Sequence, residues 1–270
     1  MQTSQKTKQD LAAMLLARYT LLRVRSRDEV RVEKAIVAAT TRAKFRVVLW
    51  DLATGSSEIN GKGETVPLDS GATDPAAVLG AIRADLEAAR EAARRERPPD
   101  PKLKRVWILR DFPPLLPGRP ELVRGLKSLA RDLEETAGAG AIVLLDNSEP
   151  LPPELAGCVT ELDWPLPDRD EIGRILDDTL ATLTAVHGET ALAKACPNGT
   201  RERAIEAASG LDAHSIQNCF AASLARSGTI DVAHIAAEKR RAIKARGLEW
   251  TDPDPRGLDA VGGLDALKAW

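Results

Sequence analysis

Between residues 19 and 164, short apolar, β-branched runs alternate with longer segments of helical period. This is the pattern of a parallel sheet covered by helices. The runs are 19–25 (YTLLRVR), 44–52 (KFRVVLWDL), 105–110 (RVWILR), 141–145 (AIVLL) and 159–162 (VTEL). They are nearly continuous in hydrophobicity, as strands buried on both faces must be, and so predict a five-stranded parallel sheet in an α/β fold. Helices are expected over 27–43, 75–96 and 120–136, with a short turn at 153–156. Their start signals are a Ser26 and Glu29 capping box, an Asp74 N-cap followed by Pro75, and a second capping box at Asp168 and Glu171.

After residue 167 the strand pattern stops, and four helical segments follow, broken near Gly188, at Pro197 to Gly199, at Gly210 and at Gly228. They predict a small α-helical bundle. Its first helix carries Ile172, Ile175, Leu176, Leu180, Leu183 and Val186 at a spacing that forms one apolar stripe. The expected organisation is an N-terminal extension over 1–18, an α/β domain over 19–167, a helical domain over 168–247, and a linker over 248–270 that opens a further apolar pattern and reads as cut mid-architecture.

Composition narrows the functional classes. The 270 residues are 43% hydrophobic and 29% charged with a net charge of -2, so there is no global basic field to draw the chain onto nucleic acid or an anionic membrane. Aromatic residues make up only 3%, which leaves no set of stacking platforms for single strands. Cys158, Cys196 and Cys219 are far apart and odd in number, which fits a reducing compartment. The apolar stretches near the N-terminus are interrupted by Arg18 and Arg23, and the expectation is a cytoplasmic chain that does not enter a membrane.

A phosphate-binding loop needs about eight residues, rich in glycine, between the first strand and its helix, so that backbone N–H groups wrap the phosphates and a lysine reaches the outer ones. Here Arg25 ends the strand and Ser26 is expected to cap the helix at once. Asp28 and Glu29 occupy the first helical turn, where they satisfy the positive end of the dipole in place of phosphate. The segment 55–63 (GSSEINGKG) contains Gly-Lys, but its spacing is one residue too long, no Ser or Thr follows Lys62, and no helix begins after it. It is expected to be a surface loop.

Asp51, Asp111 and Asp146 each fall at or just past the carboxyl end of a predicted strand, where open α/β sheets hold ligands. Three such carboxylates suggest either a metal-dependent nuclease or ordinary turn-capping aspartates. His187, His214 and His234 share no metal spacing, and no nucleophile elbow is present. The cationic run Arg90, Arg94, Arg95, Arg97, Lys102, Lys104 and Arg105 raises nucleic-acid binding, but interleaved Glu91, Glu96 and Asp100 favour a solvated charged helix.

Residues 141–176 resemble the segment of AAA+ ATPases in which a strand ends in a sensor asparagine and a short strand then leads through LP-D into a helix. In that resemblance Asn147 is sensor-like, RVWILRDF is Walker-B-like with Asp111 at the metal-holding position, and Phe112 stands where the second acid belongs. Residues 209–243 resemble a helical lid, and VGGLDALKAW resembles the entry to a second AAA+ module. The chain is similar to the degenerate N-terminal region of the AAA+ ATPase family found in cyanobacteria and algal chloroplast genomes. The resemblance implies a P-loop-NTPase-like sheet with a lid, self-association through AAA-type faces, an unknown protein partner, and ATP and Mg for a downstream module. It implies no cofactor, no metal and no catalytic residue in this chain, and a regulatory or oligomerisation role.

Overall fold

A computed structural model describes residues 4–42, 45–60, 64–68, 73–95, 104–136, 140–148, 150–187, 194–197 and 199–245. The chain divides into two compact units between Leu166 and Pro167. The first is a seven-stranded sheet with helices on both faces. Its elements are α1 (Ser4–Leu16), β1 (Leu21–Arg25), α2 (Glu29–Arg42), β2 (Arg46–Asp51), β3 (Gly55–Ile59), β4 (Thr65–Pro67), α3 (Pro75–Arg95), β5 (Arg105–Arg110), α4 (Pro120–Glu135), β6 (Gly140–Asp146) and β7 (Thr160–Asp163). Single 3₁₀ turns lie at Pro113–Leu115 and Pro153–Leu155.

The strand order is β4-β3-β2-β5-β6-β1-β7. The five strands expected from the apolar runs pair parallel with one another. Two more strands extend the sheet. β3 pairs antiparallel with β2, and β4 antiparallel with β3 at the edge, so the segment expected to be a glycine-rich surface loop begins instead as a strand one place in from the edge. Polarity hid this pair: antiparallel strands near a sheet edge with an exposed face need no apolar run, and Ser57, Glu58 and Thr65 supply none.

Alternation along each strand sends side chains to two cores. Leu21, Val48, Trp50, Trp107, Leu109, Ile142 and Leu144 face α3 and α4, while Leu22, Val24, Val47, Leu49, Ile108, Val143 and Leu145 face α1 and α2. Each fully buried leucine or isoleucine among them contributes about 1.5–3 kcal/mol of apolar transfer. α3, the helix expected over 75–96, is one of those that cover the sheet. Val78, Leu79, Ile82, Leu86 and Ala89 line its buried face, and Asp74 caps it by accepting from Ala77 N at 2.9 Å. Likewise α1, over residues expected to be an extension, buries Leu11 and Leu15 in the second core.

The second unit consists of α5 (Arg169–His187), α6 (Thr200–Ala208), α7 (Ala213–Ser227) and α8 (Val232–Ala245). The capping box at its start is present: Asp168 Oδ1 accepts from Glu171 N at 2.9 Å, and Glu171 Oε2 accepts from Asp168 N at 3.4 Å. Ile172, Leu176, Leu180, Ile205, Ile216, Phe220 and Ile235 form its core. Residues 246–270, among them the linker and further module expected over 248–270, lie outside the described residues.

Candidate functional site

The carboxyl edge of the parallel strands is where this architecture places a ligand. Three residues, Ser26, Arg27 and Asp28, join β1 to α2. The expected Ser26 and Glu29 capping box does not form. Ser26 Oγ instead accepts from Asp28 N at 3.0 Å, a local hydroxyl turn, and the helical ladder starts two residues later with Asp28 O accepting from Val32 N at 3.2 Å. Ser26 N donates to Asp146 O at 2.9 Å, which ties the link to the end of β6. Asp28 is held by Arg31 at 2.8 Å, and Arg31 also donates to Pro165 O.

At the centre of this edge lies an ion pair absent from the sequence-based candidates. Arg23, in the middle of β1, donates from Nε to Asp146 Oδ1 and from Nη2 to Oδ2, both at 2.9 Å, and both side chains are 0% exposed. Ser148 completes the arrangement: its N–H and hydroxyl both donate to Asp146 Oδ2, and its carbonyl accepts from Arg23 Nη2 at 3.1 Å. Burial pushes the Asp146 carboxyl up, but its hydrogen bonds from Arg23 and Ser148 outweigh burial and hold it below the usual carboxylate range. The sequence signal was available: an arginine inside a strand buried on both faces requires a partner.

A second network lies beside it. Arg110, at the end of β5, donates to Glu33 at 2.6 Å and lies 3.4 Å from Asp51 and 3.9 Å from Glu29. Its hydrogen bond to Glu33, more than its own desolvation, sets its pKa and raises it above the ordinary arginine value. Asp51 caps its turn, accepting from Ala53 N, Thr54 N and Thr54 Oγ1 at 2.7–2.9 Å. Its carboxyl is pushed up by burial but held below the usual value by the Thr54 and Ala53 hydrogen bonds and by Arg110. Glu29 is raised, first by burial and then by the neighbouring Asp111.

Asp111 is exposed and sits at φ 49, in the left-handed region that aspartate tolerates better than most residues. Its N–H donates to Leu145 O at 3.0 Å. Phe112, next in sequence, is fully buried and packs edge-on against Trp50 with ring centroids 5.6 Å apart. Asn147 is exposed just past β6. Asp51, Asp111 and Asp146 therefore share one edge of the sheet, but two of them are engaged in a turn and a buried ion pair. Among the described residues no group of three or more His, Cys, Asp or Glu side chains is arranged to hold a metal ion.

The described part of the cationic run is paired with acids on its own and neighbouring elements, and Arg94 and Arg95 stay exposed. Arg90 donates to Thr136 Oγ1 at 2.7 Å and to Asp132 O at 3.1 Å, Arg94 and Arg95 pair with Glu91, and Arg105 pairs with Asp85. Arg97 and Lys102 lie outside the described residues. The three cysteines are unpaired, and burial raises each thiol above its usual pKa. No described helix is long and apolar enough to cross a membrane.

Residues 7–164 match the family described as the N-terminal domain of SpoVK-like AAA ATPases, and residues 170–246 match the second domain of the same family. The chain is 27% identical over 268 residues to the uncharacterized AAA domain-containing protein ycf46 of Guillardia theta. That alignment covers 97% of this chain and 46% of the relative, so the chain spans about half the relative's length. Among solved structures, the FIGL-1 AAA domain in complex with ADP superposes with a TM-score of 0.50 at 14% identity, covering 99% of this chain and 83% of that one. C. elegans PCH-2 superposes with a TM-score of 0.44 at 11% identity, covering 90% and 66% respectively.

Proposed function

The chain belongs to the SpoVK-like AAA ATPase family, and we propose that this piece of it is a non-catalytic AAA-like module, which self-associates or recruits a protein partner for an ATP-hydrolysing module elsewhere in the full-length protein. The observation that carries the reading is the three-residue connection between β1 and α2. Its one free hydroxyl is spent on Asp28 N, and its first N–H on Asp146 O. Too few backbone N–H groups remain at that turn to wrap a polyphosphate.

The neighbouring groups support the same reading. The position after Asp111, where a water-polarising acid would stand in the resemblance, is taken by a core residue, Phe112. Arg110 supplies cationic charge beside Asp51, Glu29 and Glu33. The rival nuclease reading has no comparable support, because Asp146 is consumed by Arg23.

The test is sedimentation of the chain with and without Mg-ATP, alongside a phosphate-release assay. The expected result is an association state that nucleotide does not change and no phosphate release above buffer. Turnover that survives repurification would overturn the proposal.

A further inference from the structure

The two edges of the sheet differ in the backbone they offer. At one edge, Leu68 N donates to Ser56 O at 2.9 Å, and Ser57 stands opposite Pro67. The outward positions of β4 are therefore Thr65 and Pro67, and Pro67 has no N–H to give. At the other edge, Trp164 N donates to Arg25 O at 2.9 Å, and Asp163 stands opposite Arg25. That register turns the N–H and C=O of Thr160 and Leu162 toward β1, and those of Glu161 and Asp163 outward. Among the described residues no strand pairs with this outer side of β7. A proline obstructs one edge, whereas the other presents an open ladder.

Charge decides what fits that ladder. On one face of the sheet, Arg23 and Arg25 of β1 stand beside Glu161 and Asp163 of β7. Arg25 lies 2.6 Å from Asp163, and Arg23 lies 3.6 Å from Glu161. The outer two carboxylate side chains nevertheless stay 44% and 69% exposed. A row of cations on β1 is thus followed by a row of anions on β7, and a further strand is matched by cations at alternate positions. A second copy adding its own β7 across a two-fold axis would set these carboxylates against themselves, which is unfavourable. We propose that the β7 edge takes an extended segment of a protein partner as an added strand, with Lys or Arg at alternate positions facing Glu161 and Asp163. This rests on the reading that the chain recruits a protein partner, and it names the surface and the kind of segment.

The test uses the intact chain and a blocked peptide of alternating lysine and valine. In an NMR titration the amides of Glu161 and Asp163 should shift to saturation and exchange more slowly with solvent. Methylating the peptide nitrogens that face β7 should weaken binding by about tenfold or more. Asp163→Pro removes one outward N–H, leaves the bonds to β1 in place, and should have a similar effect. Asp163→Lys keeps that N–H, and should weaken the lysine peptide while favouring one of alternating glutamate and valine. No saturable shift at millimolar peptide, equal binding of the methylated peptide, shifts centred away from β7, or β7 paired with a second copy would overturn the proposal. Phosphate release is a separate readout, so failure here leaves the non-catalytic reading standing.

Discussion

Replacing Asp146 with alanine should be among the most damaging single changes in the first unit. Arg23 and Asp146 are both 0% exposed and joined by two parallel bonds of 2.9 Å, so the change strands a guanidinium in the interior. Breaking a buried pair from one side costs about 3–5 kcal/mol. Against a typical total of about 5–15 kcal/mol, that is a large fraction of the stability. At a urea slope of about 2 kcal/mol per M, the unfolding midpoint should fall by roughly 2 M. Tryptophan fluorescence can follow it, because Trp50, Trp107 and Trp164 are all buried in this unit.

The paired change Arg23→Met with Asp146→Leu removes both charges and should be near neutral or stabilising. An Asp146→Ala cost below about 1 kcal/mol, or a double variant as damaged as the single one, would refute the reasoning. The pH dependence has a defined sign. Because the folded Asp146 carboxyl lies below its ordinary value, its stabilising contribution is complete above the unfolded value of about 3.9. It disappears as pH falls through the lower folded value. The alanine variant should lack that part of the acid limb.

Three other substitutions probe separate parts of the account. Gly140→Ala should block folding or cost more than about 4 kcal/mol, because φ is +125 and a Cβ would lie 1.7 Å from Arg105 O; soluble yield and thermal melting would show it. Phe112→Ala, which empties the space against Trp50, should cost about 3–5 kcal/mol in urea unfolding. A negligible cost would mean that this side chain is not part of the core. Asp212→Ala removes the side chain that accepts from Ser215 N at 2.8 Å at the start of α7. It should cost about 1 kcal/mol, read as a shift in the melting of the helical unit.

The parallel part of the sheet was legible because burial on both faces forces unbroken apolar runs, and Val47 to Trp50 or Ala141 to Leu145 admit little else. β3 and β4 were not, because the antiparallel edge tolerates Ser, Glu and Thr. α3 was legible as a helix from its Asp74 and Pro75 start, while the residues that bury it recur only every three or four positions among alanines, arginines and glutamates.

At the candidate site, the locations of Asp51, Asp111 and Asp146 followed from strand ends, but what engages them did not. Arg23 is 123 residues from Asp146, and Arg110 is 77 from Glu33. Local pattern carries no information about which strands become neighbours. Ser26 failed differently: a serine just ahead of a helix can cap it or make its own turn, and the backbone of Asp28 decided for the turn.

The most direct measurement on the central claim is equilibrium binding of Mg-ATP and Mg-ADP to this chain by isothermal titration calorimetry, with thermal melting in parallel. A short β1–α2 link, engaged by Asp28 and Asp146, predicts no saturable heat at millimolar nucleotide and no rise in melting temperature. One-to-one binding at micromolar affinity, abolished by altering Ser26 or Asp111, would contradict it.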